Sequence, residues 1–261
     1  TRRPCSAGKM EERSTRSVIV KGISDGFHDA SVALVEGNEV LWAKHAERFS
    51  RKKNDRINPL HLRNADADVS VFYENVPLKN ERRAKFSQLP VSTKIFEQCD
   101  YHTYHHESHA AGAYYTSPFD DDVVCVVIDA IGEWSTSSIW IVENGKLKKV
   151  FEKIYPQSIG LFYSAITKRI GLKPNEDEYI TMGMAAYGEV CVDMQYCFNE
   201  WANWHKGFSL EDFKGHRPED IAASAQAHAE LEIEKIIGLA ANWGTKLCYA
   251  GGVALNCVAN S

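Results

Sequence analysis

One short pattern occurs twice in this chain, and it restricts the possible folds more than any other feature. It first reads as an apolar run from Val18 to Ile23 and an acidic turn, Ser24-Asp25-Gly26-Phe27-His28-Asp29. A second run from Ser31 to Val35, a turn over Glu36 to Glu39 and a third run from Val40 to Ala43 complete it. Roughly a hundred residues later it returns. The second copy is Val123 to Ile128, the polar turn Asp129 to Thr136, Ser137 to Val142, the turn Asn144-Gly145, and Lys146 to Ile154. Runs of this composition separated by Gly/Asn turns predict a three-stranded meander each time, with tight hairpins at Gly37-Asn38 and Asn144-Gly145.

A further strand is expected over Val69 to Tyr73, and a last one over Lys246 to Ala250, running into Gly251-Gly252. The basic stretch Glu47 to Asn54 begins a helix or a loop. Apolar spacing predicts helices over Glu107 to Tyr115, Gly160 to Ile170 and Pro218 to Asn242. The last carries Ile221, Ala225, Ala229, Leu231, Ile236 and Ile237 at near-helical intervals. A meander duplicated and followed by helices predicts two similar α/β halves facing each other across a cleft, with both acidic loops pointing into it.

Composition narrows the class. A hydrophobic fraction of 44% and a charged fraction of 25% belong to an ordinary globular chain. A net charge of -5 argues against a nucleic-acid partner. No apolar run reaches the roughly 18 residues of a membrane helix. Residues 1–17 carry five basic side chains but no apolar segment behind them, so they read as a disordered tail rather than a secretory signal. The globular part is then 18–261, split into halves at 18–121 and 122–261. The seven cysteines are odd in number and form no C-x-x-C pair, which fits a reducing, cytoplasmic setting. Cys125, Cys248 and Cys257 sit in apolar runs and are expected to be buried.

The chemistry concentrates in a histidine cluster. His102, His105, His106 and His109 lie at the entrance to an expected helix. A spacing of four puts His105 and His109 on one helical face, within reach of a single metal ion. His102 and His106 share that spacing, so periodicity does not choose between the pairs. Asp129, at the end of a buried run, is placed either to supply a third ligand or to cap a turn. In the second acidic loop Gly132 allows close backbone approach, and Ser135, Thr136, Ser137 and Ser138 offer hydroxyl donors to a phosphate. Gly26 and Ser31 could do the same in the first. His28 stands beside Asp29, as a general base would, or as a solvated turn residue would. Gly251-Gly252-Val253-Ala254-Leu255-Asn256 follows a strand and opens a helix, where paired glycines let a nucleotide lie on backbone amides. Arg51, Lys52 and Lys53 form either a contact for phosphate or a solvated charge run.

Seven segments, in order, resemble successive signatures of the nodulation-protein and antibiotic O-carbamoyltransferases. They are GISDGFHDASVALVEGNEVLWAKHAERFSRKKND, VFYENVPLK, YHHESHAAGAYYTSPF, VVIDAIGEWSTSSIW, EYITMGMAAYGE, DIAASAQ and YAGGVALNCVANS. The resemblance covers nearly everything from Val18 to Ser261 and implies the family's amino-terminal domain, with an actin-like, sugar-kinase-like ATPase fold of the duplicated ribonuclease-H-like kind. It implies transfer of a carbamoyl group from carbamoyl-adenylate to a hydroxyl on a small-molecule acceptor. Carbamoyl phosphate and ATP would be joined in a separate carboxyl-terminal domain, which is not in this sequence. A divalent metal, typically iron (Fe2+), would be held by His105 and His109, matching the family's histidine pair, with Asp129 as the first of two aspartates. The second aspartate would lie beyond Ser261. The resemblance also places Gly251, Gly252 and Asn256 in the nucleotide-contacting loop, with Gly132 in the phosphate loop, and His28 beside the transferred group. Ala130 stands where the family more usually has glycine, and the stretches Asn54 to Asp68 and Glu189 to Arg217 are shorter than in the family. The alternative is a non-catalytic nucleotide-binding module, or an inactive fragment of a split carbamoyltransferase.

Overall fold

The structure, a computed structural model, describes residues 17–26, 29–58, 66–198 and 204–261. His28 and the tail expected over residues 1–17, apart from Ser17, fall outside these. The chain divides into two units, residues 1–71 with 99–101, and residues 72–98 with 102–261.

The first meander forms as expected. Strands β1 (Ile19–Ser24), β2 (Ser31–Glu36) and β3 (Glu39–His45) are antiparallel neighbours, and helix α1 (Ala46–Ser50) closes after one turn. With β4 (Val69–Phe72) and β5 (Tyr101–His102) they make a five-stranded sheet of order β3-β2-β1-β4-β5. Alternate residues Ile23, Val32 and Leu34 are buried, the period-two signature of a half-covered sheet. The acidic turn after β1 is anchored rather than open. Asp25, buried, accepts a forked contact from Arg56 (Nη2 at 2.7 Å, Nε at 3.0 Å) and the amide of Ile57 at 3.0 Å.

In the second unit, helix α2 (Val76–Lys85) precedes α3 (His105–Tyr115). The second meander follows as β6 (Val123–Ile128), β7 (Ser135–Glu143) and β8 (Lys146–Ile154). Helices α4 (Ile159–Arg169), α5 (Glu178–Ala185) and α6 (Pro218–Ala240) lead to strand β9 (Lys246–Ala250). The sheet order is β8-β7-β6-β9, with β9 parallel to β6 and the other pairs antiparallel. All six residues of β6 are buried, because helices cover both faces of the sheet. Val124, Val126 and Ile128 pack with Ile159 of α4 and Ala229, Ile233, Ile236 and Ala240 of α6. Val123, Cys125 and Val127 pack with Ala110 and Tyr114 of α3. The sheet thus fixes the helix that carries the histidines.

Four expectations need correction. Leu231 is half exposed, because a 3.6-residue period turns it away from the Ala229, Ile233 and Ile236 stripe. Cys257 is exposed, lying past the last strand with its Sγ 3.9 Å from Met182 Sδ, whereas Cys125 and Cys248 are buried as register partners on β6 and β9. The glycine pair opens a single 3-10 turn, Gly252–Leu255, in place of the expected α-helix. Ser135, Thr136, Ser137 and Ser138 are buried within β7. Three of these hydroxyls are spent inside the protein: Ser135 bonds Glu152, Thr136 bonds the Lys153 carbonyl at 3.2 Å, and Ser138 pairs with His106.

Candidate metal centre

Helix α3 begins at His105 itself, two residues earlier than its apolar pattern suggests. Two carboxylates hold this start. Glu107 accepts from the Thr103 hydroxyl at 2.7 Å, and the buried Glu133 accepts from the His105 amide at 3.1 Å and the Asn75 amide at 2.7 Å. Unpaired amides at a helix amino end are natural partners for a carboxylate, and the positive end of the helix dipole favours it there. The Ser108 hydroxyl donates to the Tyr73 carbonyl at 2.7 Å and fixes the helix to the chain leaving β4.

The spacing of four then does its work. His105 Nε2 lies 2.9 Å from Asp129 Oδ2, and His109 Nε2 lies 3.2 Å from the same oxygen. Asp129 ends β6, its amide donating to the Thr136 carbonyl at 3.0 Å, and its other oxygen accepts the Ala130 amide at 2.6 Å. The structure therefore brings His105, His109 and Asp129 together, and it chooses the pair that periodicity left open. His102 is exposed on β5 with its Nε2 3.2 Å from Asn75. His106 is buried and turned about 100° around the helix from His105, with Nδ1 2.8 Å from Ser138 Oγ.

The electrostatics follow from burial and pairing. Burial alone would lower the His105 pKa, but the Asp129 hydrogen bond and the nearby Glu74 raise it to about 9. Burial would raise that of Asp129, yet the two imidazoles hold it well below the usual carboxylate range. His106 is pushed down to about 3 by burial and by the neighbouring His105, so it stays neutral.

The donor set fits a divalent ion. Two imidazole nitrogens and a carboxylate oxygen lie within 4.8 Å of one another. Ligands in a tetrahedral shell with bonds of about 2.0–2.1 Å stand about 3.4 Å apart, close to the spacing seen. Nitrogen and oxygen donors without thiolate suit zinc, iron or manganese. His109 is 36% exposed, against 16% for His105, so the group opens to solvent at its His109 side.

Glycines permit the close packing of the chain around Asp129. A Cβ on Gly160 would meet the Ala130 backbone at 2.6 Å, one on Gly251 the Ile128 carbonyl oxygen at 2.3 Å, and one on Gly252 Asp129 Oδ1 at 3.0 Å. Gly132 is squeezed against His105 and His106, and its amide is spent on the Ser135 carbonyl at 2.8 Å. The Asn256 side chain pairs reciprocally with Gln226, at 2.9 and 3.0 Å. Arg51 and Lys52 are exposed and belong to the first unit. Sequence reasoning missed Glu74, Lys79 and Glu133. The signal for Glu74 was a carboxylate directly after an apolar, aromatic strand.

The family described as Carbamoyltransferase N-terminus matches residues 79–261, well over half of the chain. The chain belongs to the carbamoyltransferase family. The chain is 30% identical to an uncharacterized protein of Synechocystis sp., over 92% of its own length and 51% of that protein. It is 30% identical to an uncharacterized protein of Methanocaldococcus jannaschii, over 65% of the chain and 33% of the relative. The chain thus spans about half, or less, of the length of these relatives. In fold it resembles component A of the Acidaminococcus fermentans (R)-2-hydroxyglutaryl-CoA dehydratase (TM-score 0.57, 17% identity, 94% of this chain and 86% of that one). It also resembles the activator of the Clostridium difficile 2-hydroxyisocaproyl-CoA dehydratase (TM-score 0.52, 12% identity, 92% and 81%). The chain has the actin-like, sugar-kinase-like ATPase fold that the family resemblance implies. Among its described residues no helix is long and apolar enough to cross a membrane.

Proposed function

We propose that this chain is the metal- and nucleotide-binding part of a carbamoyltransferase that passes a carbamoyl group from carbamoyl-adenylate to a hydroxyl of a small-molecule acceptor. The observation that carries the reading is the convergence of His105, His109 and Asp129 inside the segment that matches the family. In the reaction the acceptor oxygen attacks the carbamoyl carbon, the bond from that carbon to the adenylate phosphate oxygen breaks, AMP leaves, and the hydroxyl proton passes to a base. His28 is the residue proposed for that base. When bound at the His105, His109 and Asp129 group, a divalent cation (iron in this proposal) supplies positive charge beside the nucleotide phosphate. Helix α3, held at its first amide by Glu133, keeps the two imidazoles on one face. Support for the nucleotide comes from the Clostridium difficile activator of the same fold, whose structure has bound ADPNP. Gly251, Gly252, Asn256 and Gly132 are proposed to line its path, and Arg51 and Lys52 to meet phosphate. A carboxyl-terminal domain using carbamoyl phosphate and ATP is the proposed source of the adenylate, and the cytoplasm the proposed compartment.

The test supplies labelled carbamoyl phosphate, ATP and a hydroxyl acceptor to the chain, with and without a relative's carboxyl-terminal region. Label on the acceptor, lost in the His105→Ala/His109→Ala variant, is the expected result. Nucleotide binding without transfer in either arrangement overturns it in favour of a non-catalytic module. A phosphorylated acceptor, formed equally well by the double variant, overturns it in favour of a kinase.

A further inference from the structure

We infer that Glu74 is a positioning residue for the metal centre, receiving the Nδ1 proton of His105 so that Nε2 presents its lone pair to the ion. The inference rests on the metal reading above and deepens it.

Glu74 follows β4 and is 1% exposed. A carboxylate so enclosed needs partners, since burying an uncompensated charge costs several kcal/mol. One partner is Lys79 of α2, whose Nζ lies 2.8 Å from both carboxylate oxygens. Oε2, one of the two oxygens that Lys79 meets, also lies 3.7 Å from His105 Nδ1. This is an ion-pair distance, longer than a hydrogen bond.

His105 Nδ1 is the matching orphan. It is buried, and no hydrogen-bond partner reaches it. A neutral imidazole that ligates through Nε2 carries its proton on Nδ1, and that proton must be accepted somewhere. Of the groups about the ring, Asp129 is on the Nε2 side and Glu133 is engaged with the backbone amide. The Tyr73 ring meets the His105 ring edge to face, at 5.6 Å between centroids. Glu74 is left as the acceptor for Nδ1. Carboxylate partners of this kind orient metal-binding histidines and raise their basicity. Contacts at such sites are commonly long until the site is loaded. The result is a line running Lys79, Glu74, His105, ion, in which each member sets the orientation of the next.

The inference is tested with the chain, Zn2+ and Fe2+ as probes, and calorimetric titration under anaerobic conditions. Glu74→Gln is expected to bind about 10- to 100-fold more weakly than the unaltered chain. Because that change strands the Lys79 charge, Glu74→Gln/Lys79→Met is measured beside it. The double variant removes both charges and is expected to unfold like the unaltered chain yet retain the weakened affinity. Nitrogen-15 spectra of the Zn2+-loaded chain should show a His105 Nδ1 proton that exchanges slowly in the unaltered chain and faster in both variants. Equal affinities and an unchanged Nδ1 proton in the variants overturn the inference while leaving the metal centre standing. Failure of the unaltered chain to bind either ion overturns the metal centre, and this inference with it.

Discussion

Gly252 stands so close to Asp129 that a methyl group in place of its hydrogen would come within 3.0 Å of Oδ1. That oxygen is already tied to the Ala130 amide at 2.6 Å, so it can yield by only a few tenths of an ångström. Gly252→Ala is therefore expected to cost about 1 kcal/mol of stability and to weaken ion binding by about fivefold to tenfold, read by urea unfolding and calorimetric titration. Its neighbour is a harsher case. Gly251 has φ of +94°, and a Cβ there would meet the Ile128 carbonyl oxygen at 2.3 Å. Backbone cannot swing aside as a side chain does, so Gly251→Ala is expected to cost more than about 3 kcal/mol.

The metal-free chain and its affinity for an ion should respond oppositely to pH. His105 titrates at about 9 in the folded chain, above its ordinary value of 6.5. A raised folded value stabilises fully below the ordinary one, and the contribution is lost as pH climbs through about 9. Ligation requires the imidazole to surrender that proton, so ion affinity grows with pH across the same interval. Thermal unfolding of the metal-free chain across the interval, with titrations in two buffers of unlike ionisation enthalpy, measures both. Affinity that stays flat across it contradicts the expectation.

Ser138 links two buried rings. Trp140 Nε1 donates to its hydroxyl oxygen at 2.8 Å, and His106 Nδ1 lies 2.8 Å from the same oxygen. Ser138→Ala strands both ring nitrogens in the core and is expected to destabilise by about 2–4 kcal/mol. Ion affinity should change little, since His106 does not face the metal group.

In the first unit, Arg56→Ala removes the forked partner of the buried Asp25. The arginine is about half exposed, so the loss should fall below that of a fully buried pair, at about 2–3 kcal/mol. Denaturant unfolding of this variant beside Asp25→Asn/Arg56→Ala, which removes both charges and should recover part of the loss, measures it.

Both meanders were legible because their signals are local: β-branched runs bounded by Gly/Asn turns fix strands without help from distant residues. Helix α2 was not. Its sequence, VPLKNERRAK, has no apolar stripe, and its buried members are Val76 and Arg82. A helix that turns an arginine inward leaves no periodic trace. The same distinction runs through the candidate site. His105 and His109 could be paired by spacing, but only Ser138, arriving on β7, removes His106 from contention. Glu133 serves the amides of Asn75 and His105, which lie 58 and 28 residues away, and no motif encodes a carboxylate spent on another segment's backbone. Asp25 and Asp129 occupy equivalent ends of β1 and β6, yet one meets an arginine and the other two imidazoles. The duplication predicts the positions of these carboxylates and says nothing of their partners.

The loop from Asp129 to Glu133 contributes a carboxylate at each end. Glu133 grips the first amide of α3, while Asp129 faces the two imidazoles that the helix carries. Helix height and ligand depth are thus one mechanical setting with one adjusting screw. An inserted or deleted loop residue would unseat both together. On this scaffold a change of ion must come from exchanging side chains on a stationary backbone, since re-spacing the loop offers no route to it.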